Sequence, residues 1–407
     1  MTECPLMAKL VPEIRDDLNR HGDDLVALRR DLHRHPELSH AEHRTAAIVA
    51  ERLHRAGLEV TTGVAGTGVV GVLRGDRPGR TIAWRADMDA LPLHEAVDGP
   101  FRSTAAEVMH ACGHDGHTAI AAILAEVLAA RRAQLAGNAV FLFQPAEEVF
   151  GGARPMIEAG VLENHGVEEV YGLHLTSRLP VGRVEARAGV TMASADFLEI
   201  EVTGRGGHGA YPHLAVDPIA VAAQILIGLP QVVTSTVPAL HAAVLTIGQF
   251  FAGTAPNIIP ERAVLRGSLR TLRSKDRDNL LERLGAYVQA MASAQRAQAS
   301  MTTLGECCPP LVNHEHQTAL VCGCAGAELG AAGVEAGEPV LASDDMSLFL
   351  EQRPGCYFRV GAAPDGRPPP PHHSPDFEIH EGGLLVGARV AAQVLLHALQ
   401  GTASAGN

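Results

Sequence analysis

The stretch GNAVFLFQPAEE, residues 137–148, decides the fold. Its first half is an almost unbroken apolar run and reads as a buried strand. It then passes Gln144 and Pro145 and presents two adjacent carboxylates, Glu147 and Glu148. Strands covered on both faces belong to sheets flanked by helices, and these are largely parallel. The neighbouring segments agree. HTAIAAILAEVLAARR (117–132) is an apolar-faced helix, GVVGVLRG (68–75) and RTIAWRADM (80–88) are short apolar runs ending in turn residues, and VYGLHL (170–175) is another such run. Residues 11–57 read as helical, with AEHRTAAIVAERLHRAG (41–57) amphipathic and closed by Gly57. This alternation predicts an α/β fold with a mixed, largely parallel sheet. Functional groups then belong at the carboxyl ends of the strands.

The texture changes near residue 195. DFLEIEVTGRGG (196–207) alternates apolar and polar residues, as a half-buried antiparallel strand does. DPIAVAAQILIGLPQVV (217–233) and RDNLLERLGAYVQAMASAQRAQ (277–298) read as helices, and AAVLTIGQFFAG (242–253) and RAVLRGSLRTL (262–272) as strands. Two helices on an antiparallel sheet make a small α+β insert at 195–305, between a first α/β part at 1–194 and a second at 306–407. In that second part, SDDMSLFLEQ (343–352) and GGLLVGARVAAQVLLHALQ (382–400) read as helices, with CYFRVGAA (356–363) a strand between them. PDGRPPPPHHSPDF (364–377) is a rigid proline-rich loop.

Composition narrows the possible partners. The 407 residues are 46% hydrophobic but only 4% aromatic, so an aliphatic core of some size is expected. A formal net charge of −13 argues against nucleic acid or an anionic membrane as a partner. The cysteines at 4, 112, 307, 308, 322, 324 and 356 are odd in number and scattered, unlike a secreted disulfide framework. The start MTECPLMAKLVPEIRDD lacks the apolar core of a signal peptide, and no run looks long enough to span a bilayer. A reduced, cytoplasmic protein is the expectation.

The chemistry gathers around MHACGHDGHT, residues 109–118, which packs three histidines, a cysteine and an aspartate into ten positions. Glu147 and Glu148 follow a strand end, where adjacent side chains point different ways, so one can hold a metal while the other acts as a general base. His174 lies in an apolar strand, His373 in the rigid loop, and Asp87 and Asp89 end another strand, where they can bind metal or orient a histidine. Taken singly each has an ordinary structural explanation. Together Cys112, His114, Glu148, His174 and His373 form a thiolate, imidazole and carboxylate set suited to Zn²⁺, Co²⁺, Ni²⁺ or Mn²⁺. Five donors exceed the need of one tetrahedral ion and suit two ions ~4 Å apart.

These segments, with LHRHPELSHAE (32–42), RADMDALPLHE (85–95), GGARPMIEAG (151–160), GRGGHGAYPH (204–213), APNIIPE (255–261) and HHSPDFEI (372–379), resemble the M20 family of metallopeptidases. The match is to the amidohydrolase branch: hippurate hydrolase, indole-acetyl-amino-acid hydrolases and related N-acyl-amino-acid deacylases. The resemblance implies that Cys112 and His114 are ligands with Cys112 bridging, that Glu148, His174 and His373 complete the set, and that Glu147 is the catalytic base. His373 is preferred to His372 because it directly precedes Ser-Pro. Asp89 resembles the aspartate behind the ligands, and His110 and His117 become structural neighbours. The insert resembles a lid and dimerisation domain, which implies a homodimer or a dimer of dimers. In it, His208 corresponds to a histidine that reaches the substrate carbonyl, often in the neighbouring subunit, and Asn257 and Arg270 to residues near the substrate carboxylate. The chain departs from the family at DDMS (344–347), where EDFS is usual, and at TSTVP (234–238). The implied reaction is hydrolysis of an N-acyl amino acid by two divalent ions. A dipeptidase or carboxypeptidase of the same fold, a cysteine hydrolase built on Cys112, and a catalytically silent metal-binding homologue are the rival readings.

Overall fold

A computed structural model describes residues 5–400 of the chain; Cys4 lies outside them. Three helices come first: α1 (Pro5–Arg20), α2 (Gly22–Arg34) and α3 (His43–Arg55). Three strands follow: β1 (Glu59–Val64), β2 (Gly68–Arg74) and β3 (Arg77–Asp87). Next come α4 (His114–Ala129), β4 (Ala136–Gln144) and β5 (Glu169–Thr176). The eight-stranded sheet has the order β1-β2-β4-β3-β5, then Gly355–Gly361, then the two-residue strands Val184–Glu185 and Val334–Glu335. Its centre is parallel, with β4 beside β3, β3 beside β5, and β5 beside Gly355–Gly361, while β1 and β2 pair antiparallel at one side. The apolar run of 137–148 is therefore an inner strand, buried along Ala139–Gln144.

The core explains the low aromatic content. α4 is buried along almost its whole length and packs on β3, with Ile120, Ile123, Leu124 and Leu128 in the main cluster. Its approach is close: a Cβ at Gly116 would run into Leu175 of β5. Helix Gly382–Gln400 packs against β3, β4, α1 and α4.

The chain divides into two units. The first runs to Gly189 and resumes at Val312–Glu338 and from Asp344; the second is Val190–Leu311 with Pro339–Ser343. The second unit carries a four-stranded antiparallel sheet in the order Ala243–Ala252, Arg262–Thr271, Ala195–Thr203, Gln298–Cys308. Helices Pro218–Thr236 and Ser274–Ala294 cover it through Val221, Ile225, Leu229, Leu280, Leu284 and Val288. Asp217 caps the first of these by accepting from the Ile219 N–H (2.9 Å), with Pro218 at the first helical position.

One expectation needs correction. Pro218–Thr236 and Gly382–Gln400, each 19 residues with mean hydropathy 1.5, are long and apolar enough to cross a membrane by length and composition. Alanine and glycine diluted both runs in the sequence. Gly382–Gln400 is mostly buried as a core helix, whereas Pro218–Thr236 rests one face on its own sheet and leaves Ile227 79% exposed.

Candidate metal centre and active site

The carboxyl ends of the parallel strands carry the candidate groups. β3 runs out to Asp87 and Asp89, β4 to Glu147 and Glu148, and β5 holds His174; Cys112 and His114 stand at the start of α4. The loop after Gly355–Gly361 brings in His372 and His373. Left-handed backbone recurs here, at Gly113 (φ 91°), Ala146 (φ 52°), Phe150 (φ 54°) and His373 (φ 60°). Non-glycine residues in that region cost ~1–3 kcal/mol each and persist where the surroundings dictate them. At Ala146 the turn is held by its N–H, which donates to Glu42 (2.8 Å).

The structure brings all five sequence-selected donors together. Ligand-type atoms of Cys112, His114 and His174 lie within 4.8 Å of one another, as do those of Cys112, Glu148 and His373, and those of His114, Glu147 and Glu148. Proton placement bears on what these atoms can hold. His114 Nδ1 faces the Asp89 carbonyl (3.0 Å) and Asp89 Oδ1 (3.3 Å), both acceptors, so it carries the proton and Nε2 holds a lone pair. That Nε2 is buried without a hydrogen-bond partner, as is Glu148 Oε1 3.9 Å away. His174 donates Nδ1–H to the Leu175 carbonyl (2.7 Å), so its Nε2 lone pair points at Cys112 Sγ, 3.5 Å distant. Lone pairs facing a thiol and carboxylates across these gaps fit cations between them, and the mixed N, S and O set fits a divalent transition metal.

Neighbouring groups have other duties. His117 donates to Asp87 (2.6 Å) and accepts from the Leu175 N–H (2.8 Å), so both its nitrogens are used. Asp89 accepts from Ser39 Oγ (2.7 Å) and the Glu148 N–H (3.0 Å) besides His114, which ties one ligand-bearing segment to another. Asp87 bonds Arg85 (2.7 Å), which also reaches Asp345 (2.9 Å) and Gln144 (2.8 Å).

Electrostatics follow from burial and crowding. Burial, then Asp344 and Glu148, hold Glu147 well above the usual carboxylate range, as a base near neutrality needs. Burial opposes charge on His114, but Asp87, Cys112 and Asp89 more than offset it and raise its pKa, so the pocket favours positive charge at Nε2, which a metal ion supplies in place of a proton. Burial and then Glu148 push the Cys112 thiol up, and burial holds His174 well below the ordinary histidine value. Bonds to Cys112 and Glu148 raise His373 to about 10. Sequence reasoning marked Asp344 and Asp345 only as a departure from EDFS, yet their carboxylates lie within 4.8 Å of that of Glu147. It gave no role to Ser39 or Arg85.

The remaining candidates belong to the second unit. His208, on a two-residue strand paired with Ile258–Ile259, is exposed; its Nδ1 accepts from the Ala210 N–H (3.1 Å), which leaves Nε2–H as a donor. Asn257 is its neighbour on that ribbon, its carbonyl accepting from the Gly209 N–H (2.9 Å). Arg270 bonds the Leu341 carbonyl and Ser343 Oγ, each at 3.0 Å.

Comparison with known proteins agrees with this geometry. The chain is 37% identical over 394 residues to thermostable carboxypeptidase 2 of Saccharolobus solfataricus, covering 96% of this chain and 98% of that one. It is 37% identical over 377 residues to the N-acetylcysteine deacetylase of Bacillus subtilis, covering 92% and 97%. A crystal structure of a dinuclear metal-binding peptidase of the M20 family from Bacillus subtilis superposes with a TM-score of 0.80 at 34% identity, over 94% of this chain and 99% of the other. The peptidase family M20/M25/M40 matches residues 83–397, and the chain belongs to that family.

Proposed function

We propose that this chain is a metal-dependent amidohydrolase that cleaves the amide bond of N-acyl amino acids, of N-acetyl, N-benzoyl or indole-acetyl type, into a carboxylic acid and a free amino acid. One observation carries the reading: buried, unpartnered His114 Nε2 and Glu148 Oε1 face each other beside a carboxylate, Glu147, held well above its ordinary pKa. Similarity to a deacetylase of an N-acetyl amino acid supports the substrate class.

In this reading Cys112, His114, Glu148, His174 and His373 would hold the metal, supplying thiolate, imidazole and carboxylate donors. Two Zn²⁺, Mn²⁺, Co²⁺ or Ni²⁺ ions per subunit, when bound, supply an acidified water and Lewis-acid contact for the carbonyl. Glu147 takes the proton of the attacking water and delivers it to the leaving amine. The Asp89 carboxylate steadies the ring of His114 and the Glu148 backbone. His208 donates Nε2–H to the tetrahedral oxyanion, and Asn257 and Arg270 bind the amino-acid carboxylate. The protein works in the cytoplasm as a homodimer, or a dimer of dimers, joined through the second unit. A cysteine nucleophile is disfavoured because Cys112 is buried among the donor atoms of His114, His174, Glu148 and His373.

A carboxypeptidase activity is the second reading, favoured by equal identity to the Saccharolobus enzyme. Hydrolysis of N-acetyl, N-benzoyl and indole-acetyl amino acids, measured beside blocked peptides with added Mn²⁺, Co²⁺ or Zn²⁺, separates the two. Faster turnover of N-acyl amino acids is expected; turnover of peptides alone would reject the proposal.

A further inference from the structure

We infer that His372 is a positioning residue for the metal centre, its ring N–H donating a hydrogen bond to the Cys112 sulphur; this rests on the proposed reading of Cys112 as a ligand. His372 Nδ1 lies 3.7 Å from Cys112 Sγ, within the range of a bond to sulphur. The ring is clamped on two sides. Its centroid is 5.2 Å from that of His174 in an edge-to-face contact and 4.8 Å from that of Phe377. Both histidines lie in a turn, with His373 left-handed (φ 60°). His373 bonds Cys112 and approaches Glu148 Oε2 (3.3 Å), while His372 also reaches the sulphur.

Two histidines thus face Cys112 in different ways. His174 offers a lone pair, because its other nitrogen donates to the Leu175 carbonyl, and a lone pair against a thiolate needs a cation between them. His372 needs none if Nδ1 carries the proton. The donor groups that converge within 4.8 Å take in Cys112, His174 and His373 but not His372. Its place is therefore at the sulphur rather than in the ligand set. A thiolate that holds a metal ion keeps lone-pair density for a hydrogen bond, and an N–H there would draw charge from the sulphur and fix its direction.

Cobalt(II)-substituted protein tests this through its sulphur-to-cobalt charge-transfer absorption, read beside cobalt stoichiometry. His372→Phe keeps a ring and removes the donor, and His372→Asn keeps an N–H near the Nδ1 position. The band should move to longer wavelength in His372→Phe at unchanged cobalt content and return toward the wild-type position in His372→Asn. Should the Phe variant fail to fold, His372→Ala carries the same expectation. A band at the wild-type position without the donor, or one displaced as far in the Asn variant, overturns the inference. Cys112→Ser must abolish the band; if the band survives, the ligand reading fails and the inference with it, a result distinct from the others.

Discussion

Replacing Asp89 by alanine removes a side chain that touches no metal position yet orients two residues proposed to hold metal. Asp89 is 1% exposed and accepts from Ser39 Oγ, the Glu148 N–H and His114 Nδ1, at 2.7, 3.0 and 3.3 Å. His114 keeps its bond to the residue 89 carbonyl (3.0 Å), so its tautomer survives, but its ring is no longer held from two sides. The Glu148 N–H loses its acceptor altogether. Loss of a partner behind a metal ligand costs ~10–100-fold in metal affinity, or about 1.4–2.8 kcal/mol at a factor of ten per 1.4. The unpaired donors also cost ~1–3 kcal/mol each in stability, so the urea midpoint should fall as well. Competition against a chromophoric chelator measures the affinity, and kcat at saturating metal shows whether the bound site is still competent. Asp89→Asn, which keeps an acceptor oxygen, should fall between wild type and alanine. Affinity within twofold of wild type in Asp89→Ala, with only the urea midpoint lowered, would show that Asp89 supports the fold and not the ligands.

Three other outcomes are expected. Cys112 should resist alkylation in the metal-loaded protein and react after chelation; equal labelling rates in the two forms would remove it from the ligand set. His208→Ala should lower kcat ~10²–10³-fold, with a modest change in KM and unchanged metal content. If His208 serves the neighbouring subunit, mixing that variant with inactive Glu147→Gln should restore activity, and no recovery after proven subunit exchange would confine it to its own subunit. The third concerns acid stability. Burial holds His110 down to about 4, and neither ring nitrogen has a hydrogen-bond partner among the described residues. The unfolded chain takes up this proton near pH 6.5 and the folded one only near pH 4, so the stability is complete above about 6.5 and drains away between the two. At pH 5 the loss is about 2 kcal/mol, at 1.36 kcal/mol per unit. His110→Leu should show that much less destabilisation between pH 7 and pH 5 in urea titrations; parallel curves for the two proteins would refute the assignment.

Much of this molecule could be read from one dimension. The apolar run of 137–144 has to be an inner strand, and the α/β sheet follows from it together with the helix after the His-rich segment. The donors lie at strand ends and loop positions that such a sheet gathers, so Cys112, His114, Glu148, His174 and His373 could be grouped although they are spread over more than half the chain. What each histidine does was a different matter. His114 and His117 share one helical turn, and only contacts with Asp89, Asp87 and the Leu175 N–H decide that one keeps a buried lone pair while the other spends both nitrogens. Such choices depend on residues distant in sequence. The same holds for Arg85, which meets Asp345 260 positions away. The strand Gln298–Cys308 escaped notice because it lies at the margin of its sheet and is mostly solvent-facing, leaving little apolar pattern to read. Helix Glu315–Leu329 was obscured by its run of small residues and cysteines, with few large apolar side chains to mark a face.

The most direct test of the account is Glu147→Gln, assayed for hydrolysis of an N-acetyl amino acid with metal content measured on the same sample. The substitution preserves shape and removes the base. Metal content should stay near wild type, because the ligand set is untouched, while kcat falls by at least the ~10²–10⁴-fold that general acid–base catalysis contributes. A variant that keeps full metal and more than a few per cent of wild-type kcat would contradict the account, since the proton would then be moving through some other group.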